Sequence, residues 1–300
     1  MNKPRLLAVV GPTASGKSDL ALELADRLNG EIVSADSMQI YRGMDIGTAK
    51  PSKAERERIP HHMIDIVDPD CSYSAGRFQR EALGAIASVH SRGKLPILVG
   101  GSGLYVSSIT YRLDFSARPA ADPELRRSLD ALSAGQLYDR LQQADAGAAA
   151  RIHPHNLVRV RRALEIALSG GSGSYDFGRE RDDFDVTIIG VDWPRQKLYE
   201  RINWRVDDML KRGLYDEVKS LYDCFGADTN AMQAIGYKEI VSLLQGRTNT
   251  LAEAVDQIRL NTRHFAKRQI TWFRRDRRIT WLPGEADTVD SALHRIERTL

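Results

Sequence analysis

Gly11-Pro12-Thr13-Ala14-Ser15-Gly16-Lys17-Ser18, near the amino terminus, has the residue types and spacing to hold a phosphate group. Its outer glycines let the backbone curl, so that main-chain N–H groups converge on phosphate oxygens at the start of a helix. Lys17 adds a point charge, and the Ser18 hydroxyl can ligate Mg²⁺. The segment satisfies the whole P-loop pattern with an apolar run before it and a helical pattern after it. The ligand implied is a di- or triphosphate, with a nucleotide the usual occupant. Asp36 ends the next apolar run and should face the same crevice. A carboxylate there has three readings: a turn cap, a magnesium ligand, or a base for an acceptor group.

The elements that must position these groups follow from hydrophobic patterning. Leu6-Leu7-Ala8-Val9-Val10 predicts a strand. Leu20, Leu22, Leu24 and Leu28, with Ala21 and Ala25, predict a helix ending near Asn29-Gly30. Glu31 to Ala35 predicts a second strand, and Leu95 to Val99, followed by Gly100-Gly101, a buried third. Ser74 is the expected N-cap of a helix from about Arg77 to Ser91, with Gly93 beyond its end. Strand alternating with helix implies a parallel sheet with helices on both faces and a ligand beyond the carboxyl ends of the strands. The pattern turns helical from Asp122 to Leu168. The Gly/Ser patch Ser169 to Ser174 and the charged run to Asp185 read as a flexible surface excursion. Val186 to Val191 returns to the sheet, and helices dominate from about Gln196 onward. The fold class expected is therefore α/β: a P-loop parallel sheet core flanked by helices, with an inserted helical lobe and a helical C-terminal region. The core spans 1–113 and 186–300, the lobe 114–185.

Composition narrows the classes. Hydrophobic residues are 42% of the 300 and charged residues 28%, ordinary for a globular enzyme. No run approaches the roughly 18 apolar residues of a membrane span, and the amino-terminal run reads as a strand rather than a signal peptide. Cys71 and Cys224 are too few for a disulfide framework, and no carboxylate or cysteine joins His61-His62 at ligand spacing. A cytoplasmic location is expected. The net charge is only +3, but between Arg259 and Arg278 eight basic residues face one acid, and Arg151 to Leu164 holds four arginines and no acid. Either block can be a solvated helix face or a phosphate-binding footprint.

Beside the P-loop stands Asp36-Ser37-Met38-Gln39-Ile40-Tyr41-Arg42-Gly43-Met44-Asp45-Ile46-Gly47-Thr48-Ala49-Lys50-Pro51. With Pro60-His61-His62-Met63-Ile64-Asp65-Ile66, Gly100 to Tyr105, Arg151-Ile152-His153-Pro154, Ala234 to Lys238 and Ala266 to Arg274, this resembles the bacterial tRNA dimethylallyltransferase (IPP transferase) family. The match is collinear from about Leu7 to Trp281.

The resemblance implies transfer of a dimethylallyl group from its diphosphate to N6 of the adenosine immediately 3′ of the anticodon. It implies that Gly11 through Ser18 bind the diphosphate, with Mg²⁺ held at Ser18. Asp36, Lys17, Ser102 and Arg205 become the catalytic set, with Asp36 as base. Asp36, Ser37, Met38, Gln39 and Ser102 would meet the flipped nucleotide, Gln39 through base-edge hydrogen bonds. Glu124, Asn156, Leu157, Val158, Arg159 and Val160 would meet tRNA, as would Gln233, Ala234, Ile235, Gly236, Tyr237 and Lys238. The expected partners are dimethylallyl diphosphate and the tRNA anticodon stem-loop, with no membrane and a monomeric chain. Ile258, Phe265 and Trp272 at sevenfold spacing are expected to form the packed stripe of a late helix whose basic face presents Arg259, Arg263 and Lys267. The alternative is a P-loop small-molecule kinase. A third reading, a non-catalytic RNA-binding P-loop protein, leaves Asp36 without a role.

Overall fold

The computed structural model describes residues 3–115, 122–171, 179–284 and 288–297. Residues 172–178 of the expected excursion lie outside the described residues. The chain divides into two compact units, Met1–Thr110 with Arg181–Leu300, and Tyr111–Glu180.

The first unit carries the sheet. Its elements are β1 (Arg5–Val10), α1 (Lys17–Arg27), β2 (Gly30–Ser34), α2 (Lys53–Arg58), β3 (His61–His62), α3 (Ala75–Ser91), β4 (Leu95–Gly100) and α4 (Gly103–Thr110). In the second unit lie α5 (Pro123–Asp130), α6 (Ala134–Ala144), α7 (Ala146–Arg151) and α8 (Leu157–Leu168). The first unit resumes with β5 (Asp185–Asp192), α9 (Arg195–Lys211), α10 (Leu214–Phe225), α11 (Tyr237–Leu244), α12 (Leu251–Phe273), β6 (Thr280–Pro283) and α13 (Thr288–Glu297).

The sheet order is β3-β2-β4-β1-β5-β6, parallel throughout. Burial explains why β1 and β4 read as continuous apolar runs: Leu6 to Val10 and Ile97 to Val99 are buried on both faces. One face packs on Phe78, Ile86, Tyr105 and Ile109, the other on Leu20, Leu24 and Ile296. Because β1, β2 and β4 run in the same direction, the loops that follow them open at one end of the sheet. Two edge strands escaped the patterning: β3 has two residues and β6 four, too short to show a period. The carboxyl-terminal region is therefore not purely helical. Helix α3 begins at Ala75, where the Ser74 side chain accepts from the Arg77 N–H.

The second unit has its own core, built from Leu129, Leu137, Leu141, Val160 and Leu164. Its ends meet in a bridge between Tyr111 and Glu180.

On β2, Glu31 is a buried carboxylate, with 4% of its side chain exposed, held by Arg92 at 2.6 Å, His62 at 2.7 Å and Lys94 at 3.2 Å. Burial alone would raise its pKa, but hydrogen bonds from Arg92, His62 and Lys94 outweigh that and hold it at about 2, against an ordinary 4.5. A depressed carboxylate stabilises the fold above its unfolded pKa, and that stabilisation is lost as pH falls toward the folded one. Glu31→Gln is expected to lose up to about 3 kcal/mol of unfolding free energy at neutral pH. The gap from the parent should close near the acid end of that window. Urea unfolding at the two pH values checks this, and equal stability at neutral pH would contradict it.

Candidate active site

The loop after β1 wraps a cavity of about 940 Å³, lined by Thr13 to Asp19, Asp36, Gln39, Arg201, Trp204, Arg205, Phe265 and Gln269 among others. Gly16 takes a left-handed conformation (φ 86°) ahead of α1 and supplies no side-chain cap. The first-turn amides of α1 are thereby left for an external acceptor, as an oxyanion requires. Ala14 is also left-handed, at φ 62°, a cost carried by a non-glycine residue at the apex of the loop.

Three side chains from distant elements brace this loop. The Trp193 indole donates to Ser15 O at 2.9 Å, and Arg201 Nε donates to Ala14 O at 2.7 Å while its guanidinium stacks on the Trp193 ring. Gln269 Oε1 accepts from the Thr13 N–H at 2.9 Å. The buried Ser15 hydroxyl has no hydrogen-bond partner among the described residues. None of these supports is visible in local sequence, because each joins residues more than 170 positions apart.

Lys17, Asp36 and Arg205 line the same cavity. Burial, followed by the Arg205 guanidinium, lowers the Lys17 ammonium from 10.5 to about 8, while Asp36 and Asp19 act in the opposite direction. Arg205 is likewise held below its ordinary value, chiefly by burial, against the pull of Asp36 and Asp19. Burial of two cations outweighs the pull of Asp36 and Asp19 on them, a state that a polyanion relieves. Asp36 is half-buried, and its Oδ1 accepts from the Met38 N–H at 2.8 Å. The turn-cap reading is therefore realised, yet the carboxylate still borders the cavity.

Several expectations need correction. Gly11 and Pro12 are buried and lie off the cavity wall; Pro12 has no N–H, and its carbonyl already accepts from Ser15 and Lys17. The Thr13 amide is committed to Gln269, leaving only its side chain toward a ligand. Gln39 borders the cavity, but Ser34 donates to its Oε1 and its Nε2 donates to the carbonyls of Thr48 and Ala49. With both amide ends engaged it is a strut rather than a base reader. Ser102 Oγ accepts from the Ser37 N–H at 3.0 Å and donates to Ser37 Oγ at 3.1 Å, so these two residues buttress Asp36 rather than line the cavity. Phe265, expected in the packed stripe of α12, lines the cavity, while Ala266 and Gln269 take the buried positions.

No group of three or more His, Cys, Asp or Glu that could hold a metal occurs among the described residues. His62 is engaged by Glu31, and His61 by the Ile59 carbonyl. Ser18 is exposed at the start of α1, so a divalent ion would fit there only if a phosphate and water supplied its other ligands.

The IPP transferase family model matches residues 39–276. The chain belongs to the IPP transferase family. A tRNA dimethylallyltransferase of Anoxybacillus flavithermus is 46% identical over 301 residues, 98% of this chain and 96% of that protein. The crystal structure of the full-length tRNA isopentenylpyrophosphate transferase from Bacillus halodurans is 45% identical, with a TM-score of 0.74, covering 99% of this chain and 95% of that one. A eukaryotic dimethylallyltransferase acting on tRNA is 30% identical with a TM-score of 0.81, covering 97% and 77% respectively.

In this IPP transferase the residues expected to meet RNA divide by exposure. Glu124, Asn156, Leu157, Val158 and Arg159 are exposed, Asn156 as the N-cap of α8. Val160 is fully buried in the core of the second unit and offers RNA no side chain. Gln233 is exposed, and Ile235 and Lys238 half-buried, whereas Ala234, Gly236 and Tyr237 are buried. Tyr237 is occupied with packing: its hydroxyl donates to Glu217, whose carboxylate accepts the N–H groups of Asp45, Ile46 and Gly47. The basic face of α12 is partly spoken for, since Arg259 pairs with Asp207 and Asp256 and Arg263 donates to Asn203. Lys267 remains exposed. Cys71 and Cys224 are exposed thiols. No helix among the described residues is long and apolar enough to cross a membrane.

Proposed function

We propose that this IPP transferase family member transfers a dimethylallyl group from dimethylallyl diphosphate to N6 of the adenosine immediately 3′ of the anticodon in tRNA, releasing diphosphate. The observation that carries the reading is the convergence of Lys17, Arg205 and Asp36 on one cavity at the P-loop.

In the reaction the allylic C–O bond breaks and its electron pair leaves with the diphosphate. Lys17, Arg205 and the free amides of the first turn of α1 are pre-set to receive that charge, with little reorganisation required. The C–N bond forms from N6. An exocyclic amine is a poor nucleophile and its neutral N–H a very weak acid, so Asp36 aligns it and takes the proton as the bond forms. Ser102 acts one step back by holding Ser37. Mg²⁺, held by Ser18 with diphosphate oxygens and water, would supply further neutralisation of the leaving group. The adenosine must be flipped from its stack to reach the cavity. Arg159 and its exposed neighbours, Glu124, Gln233 and Lys238 are the side chains assigned to the anticodon stem-loop. On this reading the chain acts as a cytoplasmic monomer.

The kinase alternative loses its footing: the relatives are named as transferases of another kind, and β4 runs into Gly100-Gly101 with no acid to hold a nucleotide's metal. Incubation with dimethylallyl diphosphate, Mg²⁺ and unmodified tRNA, followed by nucleoside mass spectrometry, should yield adenosine heavier by one five-carbon C₅H₈ unit. ATP-dependent phosphorylation without that nucleoside would overturn the reading.

A further inference from the structure

One buried amide spans two loops of the cavity wall. Gln269, on α12, is 6% exposed. Its Oε1 accepts the Thr13 N–H at 2.9 Å, and its Nε2 donates to the Gly101 carbonyl at 2.9 Å. Thr13 belongs to the phosphate-binding loop after β1, and Gly101 to the turn after β4. That turn continues into Ser102, whose hydroxyl accepts the Ser37 N–H, and Ser37 adjoins Asp36. Hydrogen bonds thus run from the diphosphate cradle through Gln269 to the residues that hold the carboxylate.

The chemistry of the bridge selects glutamine. One end must accept from a main-chain N–H and the other donate to a carbonyl, which a primary amide does from one planar group. An ionised glutamate accepts at both ends and would face the Gly101 carbonyl with a lone pair. Asparagine is one methylene too short to span the gap from the same helix. Gly101 completes the fit, because a Cβ there would overlap Gln269 Nε2. The Gly101 bond is buried and the Thr13 bond half-buried, so losing the first leaves a main-chain carbonyl unsatisfied and losing the second frees one edge of the loop.

We propose that Gln269 is a positioning residue that sets the separation between the leaving-group cradle and Asp36. The proposal rests on the transferase reading above. In-line substitution at an allylic carbon needs cradle and base in fixed register, and a displacement of about 1 Å can cost on the order of 100-fold in rate. Gln269 makes that register a property of α12 rather than of either loop.

The test compares Gln269→Leu, Gln269→Glu and the parent under saturating dimethylallyl diphosphate and tRNA, with KM for each substrate measured separately. Both variants are expected to lose roughly 100-fold in kcat, with KM for tRNA within about twofold and only a modest rise in donor KM. A folded variant of either kind with near-parental kcat would overturn the proposal. So would a defect that saturating donor erases, since that would confine Gln269 to holding the cradle. The near-isosteric Gln269→Glu decides if Gln269→Leu does not fold. In the parent protein, amide exchange at Thr13 should be slow within the 11–18 loop, and fast exchange there would count against the bridge irrespective of any variant. Absence of prenylated nucleoside from the parent would count against the transferase reading, whereas equal kcat in parent and variants counts against the bridge alone.

Discussion

Asp36→Ala is expected to lower kcat by about 10²- to 10⁴-fold, the range for removing a positioned proton acceptor. Affinity for tRNA should stay within a few-fold, since the exposed side chains proposed to meet RNA lie elsewhere. The donor should bind at least as well as before. Asp36 is the stronger of two nearby anions that raise the pKa values of both Lys17 and Arg205, so its loss leaves two desolvated cations with Asp19 as the weaker counter-charge and sharpens their demand for a diphosphate. Asp36→Asn separates chemistry from scaffold. Its side-chain oxygen can still accept the Met38 N–H that Asp36 Oδ1 accepts in the parent, but it cannot take up the N6 proton. Single-turnover rates for the two variants should therefore fall together. Near-normal turnover in Asp36→Asn would remove the carboxylate from the mechanism.

Lys17→Ala should act on the opposite end of the reaction. Removing one pre-set charge from the developing diphosphate is expected to cost about 10²- to 10³-fold in kcat/KM for the donor. Inhibition by free diphosphate should weaken in parallel, with tRNA binding unchanged. Thermal stability should move the other way or not at all. Burial disfavours the Lys17 charge, and among the described residues its hydrogen-bond acceptor is the Pro12 carbonyl at 3.3 Å, so the free protein sheds a burden when the ammonium is removed. Kinetics with varied donor and a melting curve test both halves. Parental donor kinetics would dismiss the cradle assignment, and a large drop in melting temperature would make Lys17 a structural residue.

The P-loop could be read from sequence because its function is local: eight consecutive residues bend, cap a helix and present one cation. The strands β1 and β4 were legible for a similar reason, since burial on both faces leaves near-continuous apolar runs. Gln39 and Tyr237, expected to meet RNA, have their polar ends engaged within the protein. A polar side chain in a loop gives no periodic signal of whether it faces a ligand or the protein's own carbonyls. Gln39 turns to Ser34, Thr48 and Ala49, and Tyr237 to Glu217. Val160, expected at the RNA only through the family resemblance, lies between the exposed Arg159 and the half-buried Arg161, but its own position on α8 faces inward.

The order of residues along the chain determined the phosphate-binding loop, the alternation of strand and helix, and the acid at the end of β2. Each is written within a few residues, where backbone propensity and hydrophobic period act. Only tertiary structure decided what holds that loop in place. Trp193, Arg201 and Gln269 reach it from just past β5, from α9 and from α12, across 178, 187 and 256 positions of chain. Hydrogen bonds of that span exist only after the sheet has stacked β5 beside β1 and laid the last long helix against the opened ends of the strands, so no local pattern could have announced them.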